Sequence, residues 1–282
     1  MKINSCVKRM YVVILLLFVC LFNACGSRTN TQVNEYGVFI GVDPEDSDIL
    51  REYKAVVIDG AYYSDEEITQ LRQYGIKIYS YLNIGSIETF REEYPVFQEL
   101  ILGEYENWPD EYWVDVSKKE WQDHIGKQAA ALVGKGIDGF FLDNADVYDL
   151  YPTSEIRQGL VKIISGLEKY QKEIIMNGGD VFVSESILDA ESPLVHISGV
   201  NQECVFSDID FENNLLREQD DESSEYYKKY LQRCDKKGLS VYLTEYIDEG
   251  NEKVRKKVES YCQRYQFSYF ISTTVLLINP AK

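Results

Sequence analysis

Three junctions of one kind, Tyr74-Gly75-Ile76, Lys135-Gly136-Ile137 and Lys237-Gly238-Leu239, constrain the fold of this chain more than any other feature. In each, a helical stretch stops at a glycine and a β-run opens with isoleucine or leucine. Glycine takes the left-handed conformation that ends a helix without steric cost. Repetition of the junction implies repeated helix-to-strand units. From about Gly37 onward, β-like runs alternate with amphipathic helical stretches: Val38–Gly41, Ala55–Asp59, Ile76–Asn83, Ile137–Asp143, Glu173–Asn177, Ile197–Glu203, Leu239–Glu245 and Phe267–Thr273. A closed parallel barrel requires about that many strands. The expected fold class is α/β, a single (β/α)8 TIM-type barrel. Helix starts are signed by the capping-box patterns Ser64-x-x-Glu67 and Ser117-x-x-Glu120. Beyond the second, Trp121, Ile125, Ala129 and Leu132 form one apolar stripe. The span from Ile84 to Ser117 is too long for an ordinary loop and reads as an elaboration over one end of the barrel.

The chain opens with a segment of another kind. Lys2, Lys8 and Arg9 precede the apolar run Met10–Phe22, followed by Asn23-Ala24-Cys25-Gly26-Ser27. That order describes a secretory signal over residues 1–24. At roughly 13 residues its apolar run falls short of the ~20 needed to span a bilayer. Cys25 directly after Ala24 resembles a bacterial lipoprotein signal, so Cys25 is the expected lipidation site. Residues 25–35 read as a tether and 36–282 as the barrel domain. The expected location is the extracellular face of the cell membrane, with contact to the membrane through the lipid alone.

Composition excludes several chemistries. Only Cys204, Cys234 and Cys262 remain in the expected barrel, which is no disulfide framework, and His124 and His196 are the only histidines. Neither a zinc site nor a histidine-based triad is expected, and no metal or cofactor. Loss of the leader's three basic residues takes the formal charge from −18 to −21. A chain this acidic repels nucleic acid and anionic surfaces, and accepts a neutral or cationic partner. No feature calls for a second subunit, and a monomer is expected.

Polar residues cluster where the apolar runs end. In Gly139-Phe140-Phe141-Leu142-Asp143-Asn144-Ala145-Asp146 a buried strand gives way to acid, amide and acid. Strand interiors in a parallel sheet must be apolar, whereas α/β folds place ligands at the C-terminal ends. Residues two apart share a face, which groups Gly139, Phe141 and Asp143 on one strand and Gly199, Asn201 and Glu203 on another. Asp59, Asn83, Asn177 and Glu245 end other runs. Any one could cap a turn; together they imply one mouth. Tyr62, Tyr63, Tyr81, Trp108, Trp113, Tyr148, Tyr151, Phe206 and Tyr246 crowd the same end, and Tyr81 and Tyr246 are the aromatic contacts chosen for a substrate. Aromatic faces stack on sugars. Carboxylates without histidine or metal ligands point to glycoside hydrolysis, which uses one acid as proton donor and another as nucleophile or base. Asp143 and Glu203 are the chosen pair, with Asp143 as nucleophile and Glu203 as acid/base; the separation of the two carboxyls decides between retention, the favoured outcome, and inversion. Glu245 and Asp59 are the reserves.

Val57-Ile58-Asp59, Tyr79 to Glu88, Arg91, Trp113-Val114-Asp115-Val116, Gly139 to Asp146 and Gln202-Glu203, in that order, resemble glycoside hydrolase family 114. The resemblance runs from about Gly37 to Thr273. It implies a (β/α)8 barrel with endo-α-1,4-polygalactosaminidase activity, and its catalytic acids fall on Asp143 and Glu203. Asp115, Asn144 and Asp146 lie in the matching motifs and join the expected substrate-binding set. Deacetylated galactosamine polymers are cationic, in accord with the charge. The alternative is a non-catalytic surface lipoprotein that binds extracellular carbohydrate.

Overall fold

A computed structural model describes residues 34–278 of the protein. Eight parallel strands follow chain order: β1 (Asn34–Phe39), β2 (Tyr53–Ile58), β3 (Lys77–Asn83), β4 (Gly139–Asp143), β5 (Glu173–Asn177), β6 (Gly199–Glu203), β7 (Ser240–Tyr246) and β8 (Ser268–Ser272). Each pairs with the next in parallel register. β8 returns beside β1, where the rings of Phe270 and Phe39 meet at 5.0 Å. The sheet thus curls into a (β/α)8-type barrel. Helices α1 (Asp65–Gln73), α2 (Lys119–Lys135), α3 (Ser154–Glu168), α4 (Asp221–Lys236) and α5 (Glu252–Tyr265) alternate with the strands. Each helix buries one apolar stripe; in α2 it is Trp121, Ile125, Ala129 and Leu132.

Tyrosines fill the lower barrel, and glycines make room for them. The Tyr36 and Tyr242 rings lie 4.6 Å apart. Tyr79 donates to Glu173 at 2.5 Å, and Lys77 closes on the same carboxylate at 2.6 Å. A Cβ on Gly139 would come within 2.6 Å of the Tyr79 ring, and one on Gly199 within 2.7 Å of the Ser240 carbonyl oxygen. The deep glycines on the two acid-bearing strands are therefore required by packing. Gly75, Gly136 and Gly238 adopt φ of +81°, +94° and +83°, as the repeated junction demands.

Local expectations fared unevenly. The Ser64–Glu67 capping box forms. The one at Ser117 does not: α2 is capped at Lys118 without a side-chain bond. Asp115, a stronger acceptor two residues back, takes both the Ser117 hydroxyl (2.5 Å) and N–H (3.1 Å). β1 starts at Asn34, so Asn34 and Glu35, read as tether, already pair beside β2. The signal segment and Cys25 lie outside the described residues. The expected elaboration between β3 and β4 is a three-stranded antiparallel sheet, with Glu111–Val114 between Ser86–Glu88 and Ile101–Glu104. A hairpin after β6, Ser207–Asp210 paired with Leu215–Glu218, was not anticipated.

Candidate active site

Asp143 ends β4 and Glu203 ends β6, and β5 between them supplies the group that joins them. Asn177 Nδ2 donates to Asp143 Oδ1 at 2.8 Å and to Glu203 Oε1 at 3.0 Å. Those two oxygens can lie no farther apart than the two distances added together. Asn177 Oδ1 accepts from Asn201 Nδ2 at 2.7 Å. Asn201 Oδ1 in turn accepts the Tyr36 hydroxyl at 3.2 Å and the Thr244 hydroxyl at 3.1 Å. Tyr246 donates to Glu203 Oε2 at 2.9 Å. No hydrogen bond reaches Asp143 Oδ2 among the described residues.

Burial raises both carboxyls. Asp143 sits well above its ordinary value, first through desolvation and then through the nearby charge of Glu203, with Asp146 and Glu111 adding to it. Glu203 is raised by desolvation, against the hydrogen bonds from Asn177 and Tyr246. Two carboxyls so placed do not both ionise readily, and the pair keeps a proton above the ordinary carboxylate range. Such a pair has the parts of an acid and a nucleophile.

A second polar knot borders the first. Asn83 and Asn144 both donate to Glu111 Oε1, at 3.1 and 3.0 Å, and both reach the Ser86 hydroxyl, at 2.7 and 2.6 Å. Asn144 holds φ +66°, a left-handed turn that brings its amide back under the antiparallel sheet. Tyr105, just past the strand Ile101–Glu104, stacks on Trp113 at 4.2 Å between ring centres. The charges of Asp143, Asp146, Glu111 and Glu203 all act on its hydroxyl, so it overlooks the acids. Tyr81, on β3, is likewise under the charge of Asp143. Asp146 accepts the Gly179 N–H at 3.1 Å, and burial pushes its carboxyl up to about 6. A cavity of about 540 Å³ opens between Cys204, Asn107 and the hairpin after β6, with neither acid in its lining. At its edge Trp108 meets Phe211 edge-on at 5.9 Å.

A family model for glycoside-hydrolase family GH114 matches residues 28–276. The chain belongs to that family. Uncharacterized proteins of Thermotoga maritima and Methanocaldococcus jannaschii are each 24% identical to it, over 67% and 77% of this chain and 61% and 66% of theirs. The chain therefore spans less than two thirds of the length of these relatives. The glycoside hydrolase domain of PelA from Pseudomonas aeruginosa is similar in structure, with a TM-score of 0.73 at 18% identity, covering 87% of this chain and 96% of that one. Aspergillus fumigatus Ega3, solved in complex with galactosamine, gives 0.69 at 16%, covering 89% and 94%. At these identities the likeness concerns the fold.

Within this GH114 barrel, Asp143, Glu203, Asn177, Tyr246 and Tyr81 share the mouth, with Asn83, Asn144 and Asp146 beside them. Two expected residues are engaged elsewhere, and a third, Asp59, shares a cavity wall with Tyr81 and Asn83 but is already paired. Glu245 faces away from the acids, because Thr244 and Tyr246 on either side of it point inward to Asn201 and Glu203. Its carboxylate accepts the N–H groups of Val205, Phe206 and Ser207 and the Ser207 hydroxyl. Burial raises it to about 7 against those bonds. Asp115 is held by Ser117 and by Lys118 at 3.1 Å, in the turn before α2. Asp59 is paired with Arg91 at 3.1 Å, which also holds Glu88 at 3.0 Å. Of the expected aromatics, Tyr63, Trp113, Tyr148 and Phe206 are buried in the wall. Tyr36, Asn201, Thr244, Glu111, Ser86 and Tyr105 complete the site without having been anticipated. Asn201 carried a sequence signal in its shared face with Glu203, and Ser86 in its place within the Tyr79-to-Glu88 motif.

Proposed function

We propose that this protein is an extracellular glycoside hydrolase that cuts α-1,4-linked galactosamine-containing polysaccharide within the chain and with retention. The observation that carries this reading is the suspension of both acids from one amide nitrogen, at 2.8 and 3.0 Å. Retention requires carboxyls about 5–5.5 Å apart and inversion about 6.5–9.5 Å, to admit a water. Two oxygens bonded to one nitrogen favour the first spacing. Asp143 Oδ2 attacks the anomeric carbon while Glu203 gives its proton to the departing glycosidic oxygen. The glycosyl ester on Asp143 is then opened by a water that Glu203 deprotonates, which restores both acids. Tyr246 suits this cycle because a hydroxyl can donate to ionised Glu203 and accept from its protonated form.

Membership of the family and the acidic surface support an amino-sugar polymer as substrate, and the galactosamine bound to Ega3 accords with it. The deciding experiment is incubation with partially deacetylated poly-α-1,4-galactosamine. Products are sized by mass spectrometry, and the first-formed anomer is read by proton NMR. Oligomers of the α-anomer are expected. Binding without cleavage would favour the non-catalytic carbohydrate-binding lipoprotein instead.

The charge of −18 supplies a further test. A cationic polymer is drawn by a negative field that salt screens, with a Debye length of about 10 Å at 0.1 M. Raising salt from about 0.05 to 0.5 M should lower kcat/KM on the deacetylated polymer severalfold and leave the fully acetylated polymer nearly unchanged. Equal salt responses would remove the steering role. We also place the enzyme at the cell surface through a lipid on Cys25. Cys25→Ala should release it from the membrane fraction, and retention there would defeat the anchor.

A further inference from the structure

Asn177 was expected to touch the sugar, but its hydrogen bonds are spoken for within the protein. Asn201 Oδ1 accepts from two hydroxyls, Tyr36 on β1 and Thr244 on β7, which fills both of its lone pairs. The amide nitrogen of Asn201 must then face β5, where Asn177 Oδ1 receives it at 2.7 Å. That contact in turn forces Nδ2 of Asn177 toward Asp143 and Glu203. Reversing the Asn177 amide would set its oxygen against two carboxylate oxygens and its nitrogen against the nitrogen of Asn201. The network therefore has one polarity, from wall hydroxyls through two amides to two acids. Asn201 is fully buried and Asn177 nearly so, so water offers little competition.

We propose that Asn177, oriented by Asn201, is a positioning residue that decides which oxygen of each acid does the chemistry. An amide N–H only donates, so it excludes a proton from the oxygens it meets, Asp143 Oδ1 and Glu203 Oε1. The transferable proton of Glu203 is thereby confined to Oε2, beside the Tyr246 hydroxyl. The attacking oxygen of Asp143 is Oδ2. The same two bonds fix the separation of the acids, and an error of 1 Å in such a geometry costs about 10²-fold in rate. They also favour the ionised forms: the bond from Asn177 opposes burial at both carboxyls. Other charged or titratable groups acting on the pair are Asp146, Glu111, Tyr36, Tyr81, Tyr105, Cys204 and Tyr246. None of them bonds to both acids. The role rests on the proposed carboxylate-pair hydrolysis.

Asn177→Ala and Asn201→Leu separate this role from a sugar contact. Asn177→Ala should lower kcat about 10²-fold or more with KM changed less than about threefold, and both limbs of the pH–rate profile should move to higher pH. Asn201→Leu touches neither acid and adds no charge. It cannot donate to Asn177, and should give a smaller kcat loss with the same direction of pH shift. Asn177→Ser, which keeps one donor, should recover part of the rate. A raised KM with unchanged kcat and an unmoved pH profile in Asn177→Ala would overturn the proposal and return Asn177 to sugar binding. Carboxyl-carbon NMR titration of the free protein reads the relay without any substrate. Should the wild type fail to cut galactosamine polymer, the functional reading falls, whereas an upward shift of the Asp143 and Glu203 titrations in Asn201→Leu still supports the relay. Unshifted titrations in both Asn177→Ser and Asn201→Leu would sink it whatever the substrate.

Discussion

Asp143→Asn is expected to lower turnover by about four orders of magnitude or more while polymer binding survives. The amide keeps the shape of the carboxyl, and its oxygen can still accept from Asn177 Nδ2, now at 2.8 Å from Oδ1. What it loses is the anionic Oδ2 that forms the glycosyl ester. Glu203→Gln should behave similarly on the natural polymer. It should keep more activity on aryl glycosides, whose leaving group needs no proton. Stability should move the other way. The folded protein holds the Asp143 carboxyl well above its ordinary value through burial and the charge of Glu203. A carboxyl so raised contributes its full stability below the unfolded value of about 3.9, and loses it as pH rises through the folded value. At neutral pH the uncharged amide removes that loss. Asp143→Asn should therefore melt above the wild type at pH 7 and close to it at pH 4, a stability gain bought at the cost of activity. Calorimetry at the two pH values, beside initial rates on the polymer, checks both halves. Substantial residual turnover on the polymer would rule out Asp143 as nucleophile. A lower melting point at pH 7 would show that its carboxylate is stabilised in the fold.

The barrel was legible because parallel strands must be apolar and αβ junctions need glycine. β4 and β6 could be read to their final residues for the same reason: the acids that end them break an apolar run abruptly. Alternation along a strand was the weaker guide, since a slip of one residue turns every side chain to the other face. The run taken to end at Glu245 continues to Tyr246, so Thr244 and Tyr246 point inward and Glu245 outward. Tyr36 escaped notice because the first strand starts four residues before the point its apolar pattern marks. Asp59 and Asp115 lie just past strand ends, and local partners claim such acids: Arg91 for one, Ser117 and Lys118 for the other. Glu111 and Tyr105 reach the site from the antiparallel elaboration. Their placement depends on pairing between strands distant in sequence, which no local pattern records. The acids were visible as residue types in the right places, whereas the amides and hydroxyls that orient them became visible only with the register of β1, β5, β6 and β7.

Glu245→Ala should unfold more easily than the wild type by about 3–5 kcal/mol, among the largest losses any single change would bring. The fully buried carboxylate accepts three successive backbone N–H groups, from Val205 to Ser207, and the Ser207 hydroxyl. Alanine leaves those donors without an acceptor and opens a void between β7 and the loop that follows Glu203. The same loop begins at Cys204, held at φ +56°, so the anchor also helps to keep the end of β6 in place. Hydrogen exchange at Val205, Phe206 and Ser207 should accelerate in the variant, and catalytic rate should fall with it. Glu245→Gln is milder, since its oxygen can still accept while its amide nitrogen faces donors. It also isolates a pH effect. Burial raises Glu245 to about 7, so the stability it supplies is complete below the unfolded value of about 4.3 and is lost as pH rises through 7. Asp146, raised to about 6, adds a loss of the same sign. Wild type should therefore weaken between pH 5 and 8 in urea titrations, and Glu245→Gln should weaken less over the same interval. Equal slopes would show that Glu245 is not the titrating group. Wild-type stability in Glu245→Ala would show that the loop needs no anchor.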